Sequence, residues 1–290
     1  RLASSRARAS GRRGEMLEAA ALLDAALHGM ESLARTGRLR HDINETRLER
    51  AALGFGSGVR DREPRLLDQA GRDLRQLIEE GDEAYAPVTR ARALTTCGAG
   101  MARLGGMAGK SDVLAQGVEM LEAAAELFPA DHSPLDAARI NAALGEALLK
   151  LRAAGGESAL EDRGLRALRS AERATTGRGL KAAPAVSAAA SRGEIEQAAR
   201  DADLAALGGI EARLKRRLAR RDAEADPAGW AADQLSLARL YTVRGDLLGR
   251  PEQRSAAVLA LREAEEALRE HGDAVLADEA AEGLAALLAA

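Results

Sequence analysis

Leucine and small residues recur along this chain with a period close to 47 residues. Around each recurrence the apolar positions keep the i, i+4, i+7 spacing of one helical face. Such a period predicts stacked copies of one helical hairpin, each too small to bury its own apolar face. One row of the repeat is leucine throughout: Leu27, Leu74, Leu121, Leu168, Leu214 and Leu261. A second row reads Gly58, Gly105, Arg152, Ala198 and Gly245.

The repeat predicts a single all-α array of about twelve helices over residues 1–290. Each complete unit has a first helix, a hairpin loop and a second helix. The N-terminal partial unit has the pattern of a second helix without its first, and the C-terminal one that of a first helix without its second. The predicted units are 1–36 (partial), 42–82, 87–129, 134–176, 184–222, 227–270 and 273–290 (partial).

The seven prolines support these boundaries, because proline is excluded from helix interiors but tolerated in the first helical turn. We expect four of them to open first helices, two to lie in hairpin loops and one to follow a second helix. Ser133 and Asp226 are expected to cap the helices that follow them. In that order the prolines are Pro87, Pro134, Pro184 and Pro227, then Pro64 and Pro251, then Pro129.

Composition agrees with an all-α fold and limits the classes of function that the chain can have. Alanine, leucine, arginine and glutamate favour helices, and aromatic residues are only 2% of the chain. The net charge of −3 argues against general affinity for nucleic acid. A single cysteine, Cys97, excludes an internal disulfide and favours a reducing, cytoplasmic location. No apolar stretch is long enough to span a membrane, so no membrane association is expected. Because the chain starts at Arg1, we expect it to be a fragment or to lack its true start.

The rows resemble tetratricopeptide repeats, whose first helix carries a large–small pair, a bulky residue and glycine. The second helix of that family carries small, bulky and small residues and ends in proline. The resemblance implies a right-handed α-solenoid with first helices on the concave side and second helices on the convex side. The residues that follow the motif most fully are Cys97-Gly98, Met101, Gly105, Gly117, Leu121, Ala124 and Pro129, and Leu144-Gly145 and Leu237-Ala238 open similar copies.

The rows depart from that family in having a hairpin loop about seven residues longer than its usual turn. Such long units resemble tandem arrays of some bacterial proteins, in several of which the array precedes a caspase-like CHAT protease domain.

Candidate catalytic and cofactor sites are weak. Gly105–Ser111 resembles a phosphate-binding loop, but Leu104 stands where its first glycine is required. We expect a hairpin loop there, with Ser111 or Asp112 capping the next helix. Cys97 occupies a packing row, which favours a buried thiol over a nucleophile. The histidines have no metal-ligand spacing. The sequence therefore predicts a protein that is not an enzyme and has no cofactor or metal; the histidines are His28, His41, His132 and His271.

Two further features have alternative interpretations. Trp230 is expected to pack between hairpins, although it could also contact a partner. The densest basic segment is either a solvated face balanced by nearby acids or a docking patch for an acidic partner or nucleic acid. Its residues are Arg213, Lys215, Arg216, Arg217, Arg220 and Arg221.

We expect a protein–protein interaction scaffold that binds a protein or an acidic peptide in the concave groove, because arginine forks suit carboxylates. Self-association through the open ends of the array is also expected. The alternatives are a regulatory array of a larger enzyme, such as a caspase-like protease, whose catalytic domain lies outside this chain, and a nucleic-acid-binding solenoid, which the charge makes the weakest. The predicted partner-binding residues are Arg92, Arg103, Arg139, Lys150, Arg192 and Arg239.

Overall fold

The computed structural model describes residues 2–33, 39–61, 63–80, 87–131, 133–176, 184–271 and 274–289. These residues form thirteen α-helices and no strand. The all-α prediction is confirmed, with one helix more than the approximate count. The chain divides into two compact units, Arg1–Ala174 and Thr175–Ala290.

In the N-terminal unit, neighbouring helices pack as hairpins and each hairpin packs on the next. The first helices α1, α3, α5 and α7 contact one another in that order, which is the order of a helical solenoid. The eight helices are α1 (Leu2–Ser10), α2 (Arg13–Leu33), α3 (Arg40–Asp61), α4 (Pro64–Glu80), α5 (Pro87–Ala108), α6 (Ser111–Leu127), α7 (Pro134–Ala153) and α8 (Ala159–Thr176).

The C-terminal unit repeats this packing. The first helix α9 contacts α10 and α11, α10 contacts α11, and α12 lies between α11 and α13. The five helices are α9 (Pro184–Arg200), α10 (Leu204–Arg220), α11 (Pro227–Leu248), α12 (Pro251–His271) and α13 (Ala274–Ala289).

The prediction of long hairpin loops is wrong. Only Gly109 and Lys110 join α5 to α6, and the extra length of the repeat lies in the helices, such as the 22 residues of α5. The apolar rows occupy the middle of each helix, and helix-forming residues continue the helix beyond them. Consequently Pro64 and Pro251 open α4 and α12 rather than lying in loops. Four first helices do begin at the predicted prolines.

The row of Gly58, Gly105, Arg152, Ala198 and Gly245 lies near the C-terminal ends of the first helices α3, α5, α7, α9 and α11. The backbone N–H of Lys110 donates to the carbonyl of Gly105 (2.9 Å), a bond of the Schellman motif. The intervening Gly109 has φ +63°, which favours glycine. The same bond links Glu63 to Gly58, Gly156 to Leu151, Asp203 to Ala198 and Arg250 to Gly245. In the third copy the acceptor is therefore Leu151, one residue before the predicted Arg152.

The leucine row forms the core, with Leu27 half-buried and the other five members buried. Beside it, helices cross at paired glycines. A Cβ atom on Gly98 would lie 2.8 Å from the carbonyl oxygen of Gly117, and one on Gly145 would lie 2.8 Å from that of Gly164. These contacts require the absence of a side chain.

Three local predictions need correction. The N-terminal partial unit has a short first helix after all, because α1 packs on α2 and α3. Neither Ser111 nor Asp112 caps α6, since Lys110 occupies the N-cap position without a side-chain hydrogen bond. Ser133 precedes α7 as predicted, but its hydroxyl donates to the carboxylate of Asp136 (2.6 Å) instead of accepting from the helix. Asp226 does cap α11, accepting from the N–H of Gly229.

Candidate binding groove

The first helices of the N-terminal unit line a groove with a volume of about 650 Å³. Helices α1, α3, α5 and α7 each contribute side chains, and Phe128, in the connection between α6 and α7, also lines the groove. The lining contains both charged and apolar side chains. The charged ones are Arg8, Glu49, Arg92, Asp136 and Arg139, and the apolar ones include Leu2, Leu48, Phe128 and Ile140.

Arg92 joins three successive first helices. Its Nη1 lies 3.3 Å from the Oε2 of Glu45 on α3, and its Nη2 lies 3.5 Å from the Oδ2 of Asp136 on α7. Glu45 is buried and also accepts a hydrogen bond from the hydroxyl of Thr89 (2.8 Å). The guanidinium of Arg92 is therefore held in place by two carboxylates, which compensate its charge.

Arg139 is the most exposed arginine in the groove. Its side chain is 74% exposed, and its Nη1 lies 3.9 Å from the Oδ1 of Asp136. The structure thus brings Arg92 and Arg139 together on one carboxylate, as expected from their 47-residue spacing. At the other end of the groove, Arg8 lies 3.0 Å from Glu49, which also accepts from Ser4.

Arg103 and Lys150 lie outside the groove lining, near the C-terminal ends of α5 and α7. The side chain of Arg103 is exposed, and Lys150 is half-buried. A Cβ built on Gly106 would lie 3.5 Å from the Cδ of Lys150, so the lysine stem reaches across to α5. These two residues belong to neighbouring helices but are not part of the cavity.

In the C-terminal unit, Arg192 and Arg239 converge on Glu279 of α13. The Nη1 of Arg192 lies 2.7 Å from the Oε1 of Glu279, and Arg239 binds the same oxygen. Burial lowers the pKa of Arg239, an effect that Glu279 opposes. The sequence predicts that the two arginines share a face, but it does not show that an acid from the last helix binds both.

The basic segment of α10 also forms ion pairs. Arg213 binds Glu194 on α9, and Arg217 and Arg221 bind the fully buried Asp233 on α11. Burial raises the pKa of Asp233, and the two arginines oppose this shift. The segment therefore connects three helices, while Arg216 and Arg220 are exposed.

Cys97 and Trp230 both lie in packed surroundings. The thiol of Cys97 is buried, and burial raises its pKa, which disfavours the nucleophilic thiolate. Trp230 is half-buried against the alanine- and leucine-rich core of the C-terminal unit.

Among the residues that the structure describes, no group of three His, Cys, Asp or Glu side chains is placed to hold a metal ion; His132 lies outside these residues. Within the same residues, no helix is both long enough and apolar enough to cross a membrane.

Comparison with known proteins adds no relative to this picture. No protein-family model matches the chain, and a search of curated proteins finds no matching sequence.

Proposed function

We propose that the chain is a protein-interaction scaffold that binds an acidic peptide in the groove of the N-terminal unit. The observation that carries this proposal is the exposed guanidinium of Arg139 in a groove of about 650 Å³. The resemblance of the repeat rows to tetratricopeptide units supports the same class of function.

The chemistry of the lining favours carboxylates. Arg8, Arg92 and Arg139 lie on α1, α5 and α7; Glu49 binds Arg8 and Asp136 binds Arg92, while Arg139 lies 3.9 Å from Asp136 and stays 74% exposed. The exposed guanidinium of Arg139 can form a two-bond pair with a peptide carboxylate, one of the stronger hydrogen bonds between charged groups. The lining contains nearly as many acids as arginines, so affinity must come from local pairing at Arg139 together with apolar contact.

The dimensions favour a short extended segment. Neighbouring packed helices lie 8–10 Å apart, so four first helices span about 30 Å. An extended chain covers this distance with about nine residues. We therefore propose a ligand of about nine residues in which acidic and apolar side chains alternate. Arg192 and Arg239 are left out of the proposed site because they lie in the C-terminal unit and do not line this groove.

The test is fluorescence polarisation with a labelled nonapeptide of alternating glutamate and leucine. We expect binding that weakens as salt increases, because the pairing is partly exposed. Arg139→Glu should weaken binding at least about tenfold, as expected for loss of a charged contact plus repulsion. Arg166→Glu, an equal charge change at an exposed position on α8, is the matched control.

Arg92→Glu is a poor test, because it would leave the buried Glu45 beside a second carboxylate. Equal affinity of the wild-type protein, Arg139→Glu and Arg166→Glu for the peptide would contradict the proposal. A lysine–leucine nonapeptide that binds as tightly as the glutamate peptide would also contradict it.

A further inference from the structure

One column of the repeat sets the charge at the centre of the groove in the N-terminal unit. Glu45, Arg92 and Arg139 occupy the same position of successive first helices, at the 47-residue spacing of the repeat. The exposure of their side chains rises along the column, from 6% at Glu45 through 41% at Arg92 to 74% at Arg139. Glu45 and Asp136 both bind the guanidinium of Arg92, so its charge is already compensated. Within this column, Arg139 is therefore the guanidinium that an incoming anion can reach.

Carboxylates match the arginines of the groove one for one. Every arginine of the groove contacts at least one acid, and every one of these acids contacts an arginine, so the cluster as a whole is neutral. Removing an anion from water costs more as its charge increases, and a neutral cluster does little to offset the additional cost of a second negative charge. The members of the cluster are Arg8, Arg92, Arg139, Glu45, Glu49 and Asp136.

The hydrogen-bond donors at Arg139 suit an anion with two acceptor oxygens better than one with three. A guanidinium presents two parallel N–H groups, which pair with the two oxygens of a carboxylate. A phosphate group has three such oxygens and carries about two negative charges. Thr95 and Thr96 line the groove, but both hydroxyls donate to backbone carbonyls within α5, at 2.7 and 2.9 Å. These hydroxyls therefore do not donate to the third oxygen of a phosphate.

We propose that the groove selects unphosphorylated peptides that carry carboxylates, and that Asp136 disfavours phosphate; this inference rests on the proposed function. The Oδ1 of Asp136 lies 3.9 Å from the Nη1 of Arg139. The hydroxyl of Ser133 donates to the Oδ2 of Asp136 (2.6 Å), and the Asp136 side chain is only 15% exposed, so this carboxylate is fixed in place. A phosphate bound at Arg139 would bring its second negative charge close to Asp136, where like charges repel. Phosphorylation of the ligand residue at Arg139 would therefore release the ligand.

Three nonapeptides of alternating serine and leucine test the selectivity, because they differ only in their central residue. That residue is serine, glutamate or phosphoserine, so each peptide has at most one acidic side chain to pair with Arg139. Amide NMR titration of the full chain at neutral pH measures the three affinities. We expect the glutamate peptide to bind most tightly, and the phosphoserine peptide to bind at least about threefold more weakly than the glutamate peptide.

Substitution of Asp136 by asparagine tests the cause of the selectivity. Asparagine keeps an oxygen that can accept from Ser133 but removes the charge, so Asp136→Asn should reduce the preference for glutamate over phosphoserine at least about threefold. Asp112→Asn, an equal charge change at an exposed position on α6, is the matched control and should leave the preference unchanged. Circular dichroism checks that both variants fold. If Asp136→Asn does not fold, Glu49→Gln replaces it, because loss of the acid beside Arg8 should reduce the preference in the same direction.

The outcomes separate this selectivity from the binding groove itself. A glutamate peptide that binds no more tightly than the serine peptide would contradict the proposed function, and the selectivity with it. If the glutamate peptide binds more tightly than the serine peptide but the phosphoserine peptide binds at least as tightly as the glutamate peptide, the selectivity alone is overturned. A preference that is the same in the wild type and in Asp136→Asn would also overturn it, because the carboxylate of Asp136 would then not be its cause.

Discussion

The same substitution, glycine to alanine, should have opposite effects at two helical positions of the N-terminal unit. Alanine favours a helix over glycine by about 1 kcal/mol, so the substitution is stabilising wherever its methyl group fits. At Gly71 on α4 a Cβ would meet nothing within 4 Å. We therefore expect Gly71→Ala to raise the free energy of unfolding by up to about 1 kcal/mol.

Gly98 on α5 offers no such space. A Cβ there would lie 2.8 Å from the backbone carbonyl oxygen of Gly117 and 2.9 Å from the Cγ of Leu121. Backbone atoms can yield only if α5 and α6 move apart, and overpacking of this kind costs typically 1–3 kcal/mol. After the helix-propensity gain of about 1 kcal/mol is subtracted, Gly98→Ala should lower the free energy of unfolding by up to about 2 kcal/mol.

Urea denaturation followed by far-UV circular dichroism measures both variants against the wild-type protein. The account requires the urea midpoint to rise for Gly71→Ala and to fall for Gly98→Ala. A stability of Gly98→Ala equal to or above that of the wild type would show that α5 and α6 do not cross at this glycine pair, and would refute the assignment of the small-residue row.

Three further predictions concern individual side chains. Leu121→Ala, which truncates a fully buried leucine, should destabilise the protein by about 2–5 kcal/mol in urea denaturation, and a change within about 0.5 kcal/mol would refute its core position. Burial raises the pKa of Asp233 above 3.8, so the folded protein binds the carboxyl proton more tightly than the unfolded chain does. The free energy of unfolding of the wild type, relative to that of Asp233→Asn, should therefore increase as the pH is lowered through the raised pKa towards 3.8. Denaturation at a series of pH values measures this difference, and a decrease over that range would contradict it. Cys97 should react with a thiol reagent much more slowly in the native protein than in urea, and equal rates would contradict its burial.

Much of the fold is predictable from the sequence because it depends on local periodicity. The leucine row marks the second-helix core, and the prolines mark where helices begin, since both effects act within one or two turns. The row through Gly58 and Gly105 has a local cause as well, namely the Schellman bond that ends each first helix. Loop length was predicted wrongly because an apolar row shows where a helix is buried and not where it ends.

The candidate sites are less predictable because they depend on long-range pairing. Arg192 and Arg239 share a face, as their spacing indicates, but Glu279 comes from a different repeat position and has no periodic relation to them. The basic segment of α10 suggested a docking patch as one alternative, and the acids that pair with it, Glu194 and Asp233, lie on neighbouring helices. Such partners depend on how the hairpins pack against one another, and a single row of the repeat carries no information about that packing.

The most direct test of the binding groove is a titration of the isotope-labelled chain with the glutamate–leucine nonapeptide, followed by amide NMR shifts. The account predicts that the shifting amides lie on α1, α3, α5 and α7, around Arg8, Arg92 and Arg139. Shifts confined to the basic segment of α10, or to the region of Glu279 on α13, would contradict it.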